Sequence, residues 1–148
     1  MNQERTRYPA RPALPAPTAS KLADTFQLGD EGKDELMQLA KEYANLLHRK
    51  VKTNQLRNLL DIIIWTKSSH KGTKYEDIKA VSKGRLAVCR PRLAYMAARE
   101  KGLRDLQKAL NCLLEQPEMF KQGEDLDRLY EFVSVVVAYH KYAEATSN

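Results

Sequence analysis

The segment 126–142, LDRLYEFVSVVVAYHKY, restricts the fold of this chain more than any other, because its apolar residues surround most of a helical cylinder. Six residues form one stripe and three extend it around the helix: Leu126, Leu129, Tyr130, Val133, Val136 and Val137, then Phe132, Val135 and Tyr139. A helix with so wide an apolar surface must be covered on more than one side. We therefore predict that it lies centrally in the domain; the alternative is a subunit interface. His140 is expected to be structural.

Other segments also carry apolar residues at intervals of three and four, which is the spacing of one helix face. One runs from about Asp34 to Lys50, a second starts at Thr53 as N-cap, and a third ends near Pro117. Tyr75–Val81 is predicted to form a short helix. We predict an all-α chain, with a single compact helical domain of about five to six helices over residues 31–148.

The N-terminal segment differs from the rest in composition. Four prolines crowd into nine positions, at Pro9, Pro12, Pro15 and Pro17, with few large apolar residues among them. Such a segment buries too little surface to offset the entropy lost on ordering. Residues 1–30 are therefore predicted to be a flexible Pro-rich extension, disordered at least to Ser20.

The positive charge is concentrated in the middle of the chain. The net charge is +6, but residues 41–104 hold sixteen Lys and Arg against five Asp and Glu, a net charge of +11. The segments before and after are net negative, at −1 and −4. A local positive field favours a polyanionic partner such as nucleic acid. A solvated cationic surface that only maintains solubility is the alternative.

Two segments in the basic region combine cations with helical spacing. In RLAVCRPRLAYMAAR (85–99), Pro91 is predicted to open a helix after a break at Ser82–Gly84, which places Arg92, Tyr95 and Arg99 on one stripe. This stripe fits either phosphate binding or a solvated face with a core tyrosine. Near Thr53, the cations Lys50, Lys52 and Arg57 suit a phosphate at a helix N-terminus. The alternative is a capped surface helix with an Arg57–Asp61 ion pair.

Several classes of protein are not indicated. No apolar run reaches the roughly 20 residues of a membrane span, and no signal-peptide core is present, so export and membrane insertion are not expected. Cys89 and Cys112 are interpreted as reduced thiols in the core. No pattern indicates a metal site, a cofactor or a catalytic group.

Three segments together resemble a known family. KVKTNQLRNLLDI, RPRLAYMAAR and FVSVVVAYHKY, in this order, are similar to the three motifs of the small helical subunit of the type III-A CRISPR effector, the Csm complex. The resemblance covers residues from about 36 to 142. Two departures stand out: the chain reads SVVVAYHK where the family often has an acidic residue before the alanine, and the Pro-rich extension is not part of the pattern.

The resemblance implies a non-catalytic subunit of the prokaryotic cytoplasm. Several copies would stack between other subunits of the complex and face the guide RNA and the target RNA. The positions that match motif cations are Lys52, Arg57, Arg92 and Arg99, and the charge pattern adds three more: Lys50, Arg85 and Arg90. We expect all seven to contact RNA phosphates. Gln55 and Tyr95 are expected to position helices, with Tyr95 packing rather than stacking on a base.

A different class of function remains open on the sequence alone. A helical adaptor could use the same basic surface to meet an acidic protein, with no nucleic acid involved. A small DNA-binding regulator is a third possibility, but no residues at base-reading spacing support it.

Overall fold

The computed structural model describes residues 17–67 and 75–147, and this part of the chain is built from six α-helices without a strand. Short 3-10 turns at Gly29–Gly32, Lys101–Leu103 and Pro117–Met119 connect some of them. The helices are α1 (Ala19–Gln27), α2 (Lys33–Leu47), α3 (Thr53–Lys67), α4 (Tyr75–Arg99), α5 (Arg104–Leu114) and α6 (Gly123–Thr146). The all-α prediction is confirmed. None of the described helices is both long enough and apolar enough to cross a bilayer.

Helix α6 is the central helix, as its apolar circumference predicts. It packs against both α2 and α3. Its buried apolar residues are Leu126, Leu129, Phe132, Val133, Val136 and Val137. The rings of Phe132 and of Tyr43 from α2 form a T-shaped contact, with 6.1 Å between their centroids. Only Tyr139, among the residues predicted to extend the stripe, is exposed.

Helix α1 corrects the predicted boundary of the flexible extension. Residues 19–27 form a helix that packs on α5 and α2, with Leu22 and Phe26 fully buried. The hydroxyl of Tyr43 donates a hydrogen bond to the carbonyl of Pro17 at 2.9 Å, and burial raises the pKa of Tyr43 to about 12. The low average hydropathy of the segment hid this short apolar stripe. Residues 1–16, where disorder was also predicted, lie outside the described residues.

Helix α4 runs unbroken through Gly84 and Pro91, so the predictions of a break and of a new helix at Pro91 are wrong. A proline inside a helix removes one backbone hydrogen bond and costs roughly 3 kcal/mol. A continuous buried stripe crosses this position: Leu86, Cys89, Leu93 and Ala97. Because it packs on α3 and α5, tertiary contacts outweigh the local cost. Cys89 is fully buried, which confirms it as a core residue, and this burial raises the pKa of its thiol.

The connection after α4 packs closely on the connection between α2 and α3. A Cβ atom added at Gly102 would lie 2.6 Å from the carbonyl oxygen of Lys50 and 2.7 Å from Val51. Only glycine permits this approach of the two backbones. The end of α4 is thereby held beside the residues that lead into α3.

A buried histidine secures the same connection from α6. His140 is fully buried; its Nε2 donates to the carbonyl of Val51 at 2.9 Å and its Nδ1 lies 3.0 Å from the Thr53 hydroxyl. The Thr53 hydroxyl also donates to the carboxylate of Glu144. Thr53 is the first residue of α3, and its hydroxyl bonds to residues of α6 instead of capping α3, so its predicted N-cap role is wrong. The structural role predicted for His140 is confirmed.

The carboxylate of Glu144 links stability to pH. The hydrogen bond from Thr53 is the main cause that lowers the pKa of Glu144 below its ordinary value of 4.5, and nearby His140, His48 and Lys141 add to it. A lowered folded-state pKa stabilises the fold above the ordinary value, and this stabilisation is lost as the pH falls through the lowered value. We expect Glu144→Gln to be less stable than wild type at neutral pH.

The stability difference between wild type and Glu144→Gln should shrink as the pH falls from 4.5 through the lowered pKa of Glu144. Urea unfolding across this range measures it. The control is Glu118→Gln, at an exposed carboxylate without an ion pair or hydrogen bond among residues 17–67 and 75–147. A difference that stays constant with pH would show that the charge of Glu144 contributes nothing.

Candidate nucleic-acid interface

An open groove of about 460 Å³ lies between α3 and α4. Its wall residues come from both helices: Gln55, Asn58 and Ile62 from α3, and Pro91, Arg92, Tyr95, Met96, Arg99 and Glu100 from α4 or its end. Ile62 and Met96 are half-buried, whereas Arg92, Tyr95 and Arg99 are exposed. The groove therefore has an apolar floor and carries two guanidiniums on its rim, and Glu100 is also part of its lining.

Two of the rim residues, Arg92 and Arg99, belong to a repeat of arginines along α4. Arg85, Arg92 and Arg99 are spaced by seven residues, which returns to nearly the same helix face after two turns. Two of their guanidiniums lie over the indole of Trp65 on α3, at 4.5 Å for Arg85 and 4.3 Å for Arg92. These stacked pairs join α3 to α4 beside the groove.

The two stacked arginines differ in what they can still bind. Arg85 is half-buried, and its Nη1 donates to the carbonyl of Trp65 at 2.7 Å. Arg92 is exposed, and a stacked guanidinium keeps its in-plane N–H donors for an anion. Arg99, also exposed, lies 5.9 Å from the ring of Tyr95. Arg92 and Arg99 are thus the groove cations best placed for a ligand, and Arg85 mainly serves the helix contact.

Arg90 points to a different side of α4. Its guanidinium donates to Asn111 at 3.3 Å and pairs with Glu115 at 3.1 Å. Asn111 lies on α5, and Glu115 directly follows that helix. Two residues along a helix correspond to a rotation of about 200°, so Arg90 and Arg92 cannot share a face. The structure places Arg90 outside the groove, in a contact that joins α4 to α5.

The cations before and within α3 are separated from each other. Lys52 is exposed directly before α3, and its backbone N–H donates to the Gln55 side chain at 2.7 Å, so it lies at the Gln55 end of the groove. Lys50 lies 3.9 Å from Asp105. Arg57 is exposed on α3 but does not line the groove. The Arg57–Asp61 ion pair is not formed within the part of the chain that the structure describes.

Tyr95 is the clearest departure from the sequence prediction. Its side chain is 66% exposed, so it does not pack in the core. It stands on the rim between Arg92 and Arg99, three and four residues away along α4. Sequence reasoning also missed the contact of Trp65 with two arginines and the position of Asn58 in the groove wall. The seven-residue repeat of Arg85, Arg92 and Arg99 was the one feature of the sequence that pointed to this arrangement. It indicates a shared helix face only if α4 is known to be continuous.

Comparison with known proteins identifies the family. A family model described as Csm2 type III-A matches residues 30–146, which include α2 through α6. No curated protein and no solved structure matches the chain. The match covers most of the sequence and contains all three segments on which the resemblance rests. The chain therefore belongs to the Csm2 family, the small subunit of the type III-A CRISPR effector complex, which acts in antiviral defence.

Proposed function

We propose that this chain is a non-catalytic RNA-binding subunit of its effector complex and holds guide and target RNA by their backbones, without sequence specificity. The observation that carries the proposal is the pair of exposed guanidiniums, Arg92 and Arg99, on the rim of the α3–α4 groove. Arginine binds phosphate through two parallel hydrogen bonds, and phosphates carry no sequence information. The concentration of charge in residues 41–104 supports the same partner.

The geometry of α4 suits an extended polyanion. Seven residues of an α-helix rise about 10 Å, so Arg92 and Arg99 are displaced by about this distance along the axis. Lys52 extends the positive surface beyond the Gln55 end of the groove. A strand that crosses α4 would meet several cations in succession, as sequence-independent RNA binding requires.

The other proposed contacts follow from membership in the complex. We propose that further copies of the chain and the other subunits surround it, in the prokaryotic cytoplasm, and that any chemistry on RNA is performed by those other subunits. Four further residues remain proposed phosphate contacts, although they lie outside the groove: Lys50, Arg57, Arg85 and Arg90. Arg90 and Lys50 would have to exchange their present carboxylate partners for a phosphate.

The test is to purify the chain with its neighbouring subunits and to measure RNA in the assembly. We expect RNA that nuclease treatment removes. The isolated chain should also bind single-stranded RNA with an affinity that falls with salt, at a log-log slope of about −0.7 per phosphate contacted. An assembly that forms without RNA, from a chain that binds none, would overturn the proposal and support the adaptor that needs no nucleic acid.

A further inference from the structure

Backbone binding by arginines leaves Tyr95 and the groove floor without a role. A phosphate needs only the cations on the rim, yet the groove between them is about 460 Å³ and has Ile62 and Met96 at its base. The Tyr95 ring stands beside it, 66% exposed to solvent. An exposed aromatic ring beside an apolar concavity is suited to a flat ligand that is partly apolar.

The surroundings of Tyr95 match the parts of a nucleotide. Arg92 and Arg99 lie about one turn before and after Tyr95 on α4, and Arg99 lies over one face of the Tyr95 ring at 5.9 Å. They would receive phosphates on either side of a base that stacks on the other face. Across the groove, the Asn58 amide offers both a donor and an acceptor. The Gln55 carbonyl oxygen is taken by the N–H of Lys52, which leaves its amide N–H₂ as a donor. Amide, aromatic and guanidinium groups therefore converge on one space.

We propose that the α3–α4 groove receives one unstacked nucleobase of single-stranded RNA, which stacks on Tyr95 while its flanking phosphates bind Arg92 and Arg99. This inference rests on the proposed RNA-binding function and adds the binding of one base to the binding of phosphates. Every base has a flat π-face, so stacking on Tyr95 tolerates any sequence. An acidic peptide would also satisfy the arginines, but it would leave the ring and the apolar floor unused.

The test compares Tyr95→Leu with Tyr95→Phe in the full chain, using short single-stranded oligouridine as the probe. Tyr95→Phe keeps the ring and should bind like wild type. Tyr95→Leu should bind about 5 to 150 times more weakly, the range for losing one stacked base. Its salt slope should stay unchanged because the phosphate contacts remain. Tyr142→Leu is the matched control, since Tyr142 on α6 is equally exposed at 66%.

An abasic RNA of the same length separates base from backbone. Wild type should bind it more weakly than oligouridine, and Tyr95→Leu should cause no further loss on it. If Tyr95→Leu binds oligouridine like wild type, with the salt dependence intact, the base proposal is overturned and backbone binding stands. If wild type binds neither probe, both proposals fail. If Tyr95→Leu loses a partner subunit but keeps oligouridine affinity, the groove holds a protein segment and the base proposal is again overturned.

Discussion

The double variant Arg92→Glu with Arg99→Glu is expected to bind single-stranded RNA at least about one hundred times more weakly than wild type. A hydrogen bond to a charged group contributes about 1.5–3 kcal/mol, and each reversal also adds repulsion from phosphate. Two lost contacts should flatten the log-log salt slope by about 1.4. Fluorescence anisotropy over a series of salt concentrations measures both quantities.

This variant needs a control for charge alone and a control for folding. Lys21→Glu with Lys108→Glu makes the same change in net charge at exposed positions on α1 and α5. It should weaken binding only slightly at moderate salt, since screening removes interactions beyond about 10 Å. Equal losses from the two double variants would show that net charge, and not the groove, determines affinity. Because Arg92 stacks on Trp65, a thermal melt should accompany the assay.

Phe26→Ala is expected to lower the free energy of unfolding by about 3–5 kcal/mol, the largest single-site effect on stability that we predict. Phe26 is 1% exposed, and its ring packs on Phe120 at 5.4 Å between centroids. Arg128 lies over the same ring at 5.4 Å. Truncation would remove buried surface and leave a cavity where α1 meets the rest of the core.

Leu28→Ala is the matched control for this prediction. Leu28 also lies at the end of α1, but it is 53% exposed. Its truncation should therefore lower the free energy of unfolding only slightly. Urea unfolding of both variants measures the difference. If Phe26→Ala were as mild as Leu28→Ala, residues 19–27 would behave as the flexible extension that their composition suggests, and the packing of α1 would be contradicted.

The contrast between α6 and α1 shows which helices can be predicted from the composition of a segment. Apolar residues surround so much of α6 that it must be covered on more than one side, which predicts a central helix or a subunit interface. In α1 the apolar stripe is only a few residues long, next to a proline-rich segment, and an average over the region looks polar. Such a short helix is marginal alone, so its order depends on neighbours that lie far away in sequence, such as Phe120.

Pro91 shows the same limit for local rules. The free-energy cost of proline inside a helix depends on only a few neighbouring residues. In the absence of tertiary contacts, this cost makes a proline a good indicator of a helix start. In this chain, Leu86, Cys89, Leu93 and Ala97 bury one face of α4 on both sides of the proline. The combined gain from packing on α3 and α5 outweighs one missing hydrogen bond. The free energy gained by this packing cannot be evaluated before the helices that contact α4 are known.

The amino-acid sequence alone determined the helical class, the wide apolar surface of α6, the basic middle of the chain and the family, because periodicity, charge and motif order can be read along one dimension. It also singled out Arg92 and Arg99. The tertiary structure alone decided that α1 belongs to the core, that α4 is continuous, and that Tyr95 stands exposed on a groove opposite Asn58. Those features depend on contacts between residues distant in sequence, and such contacts exist only once the helices have packed.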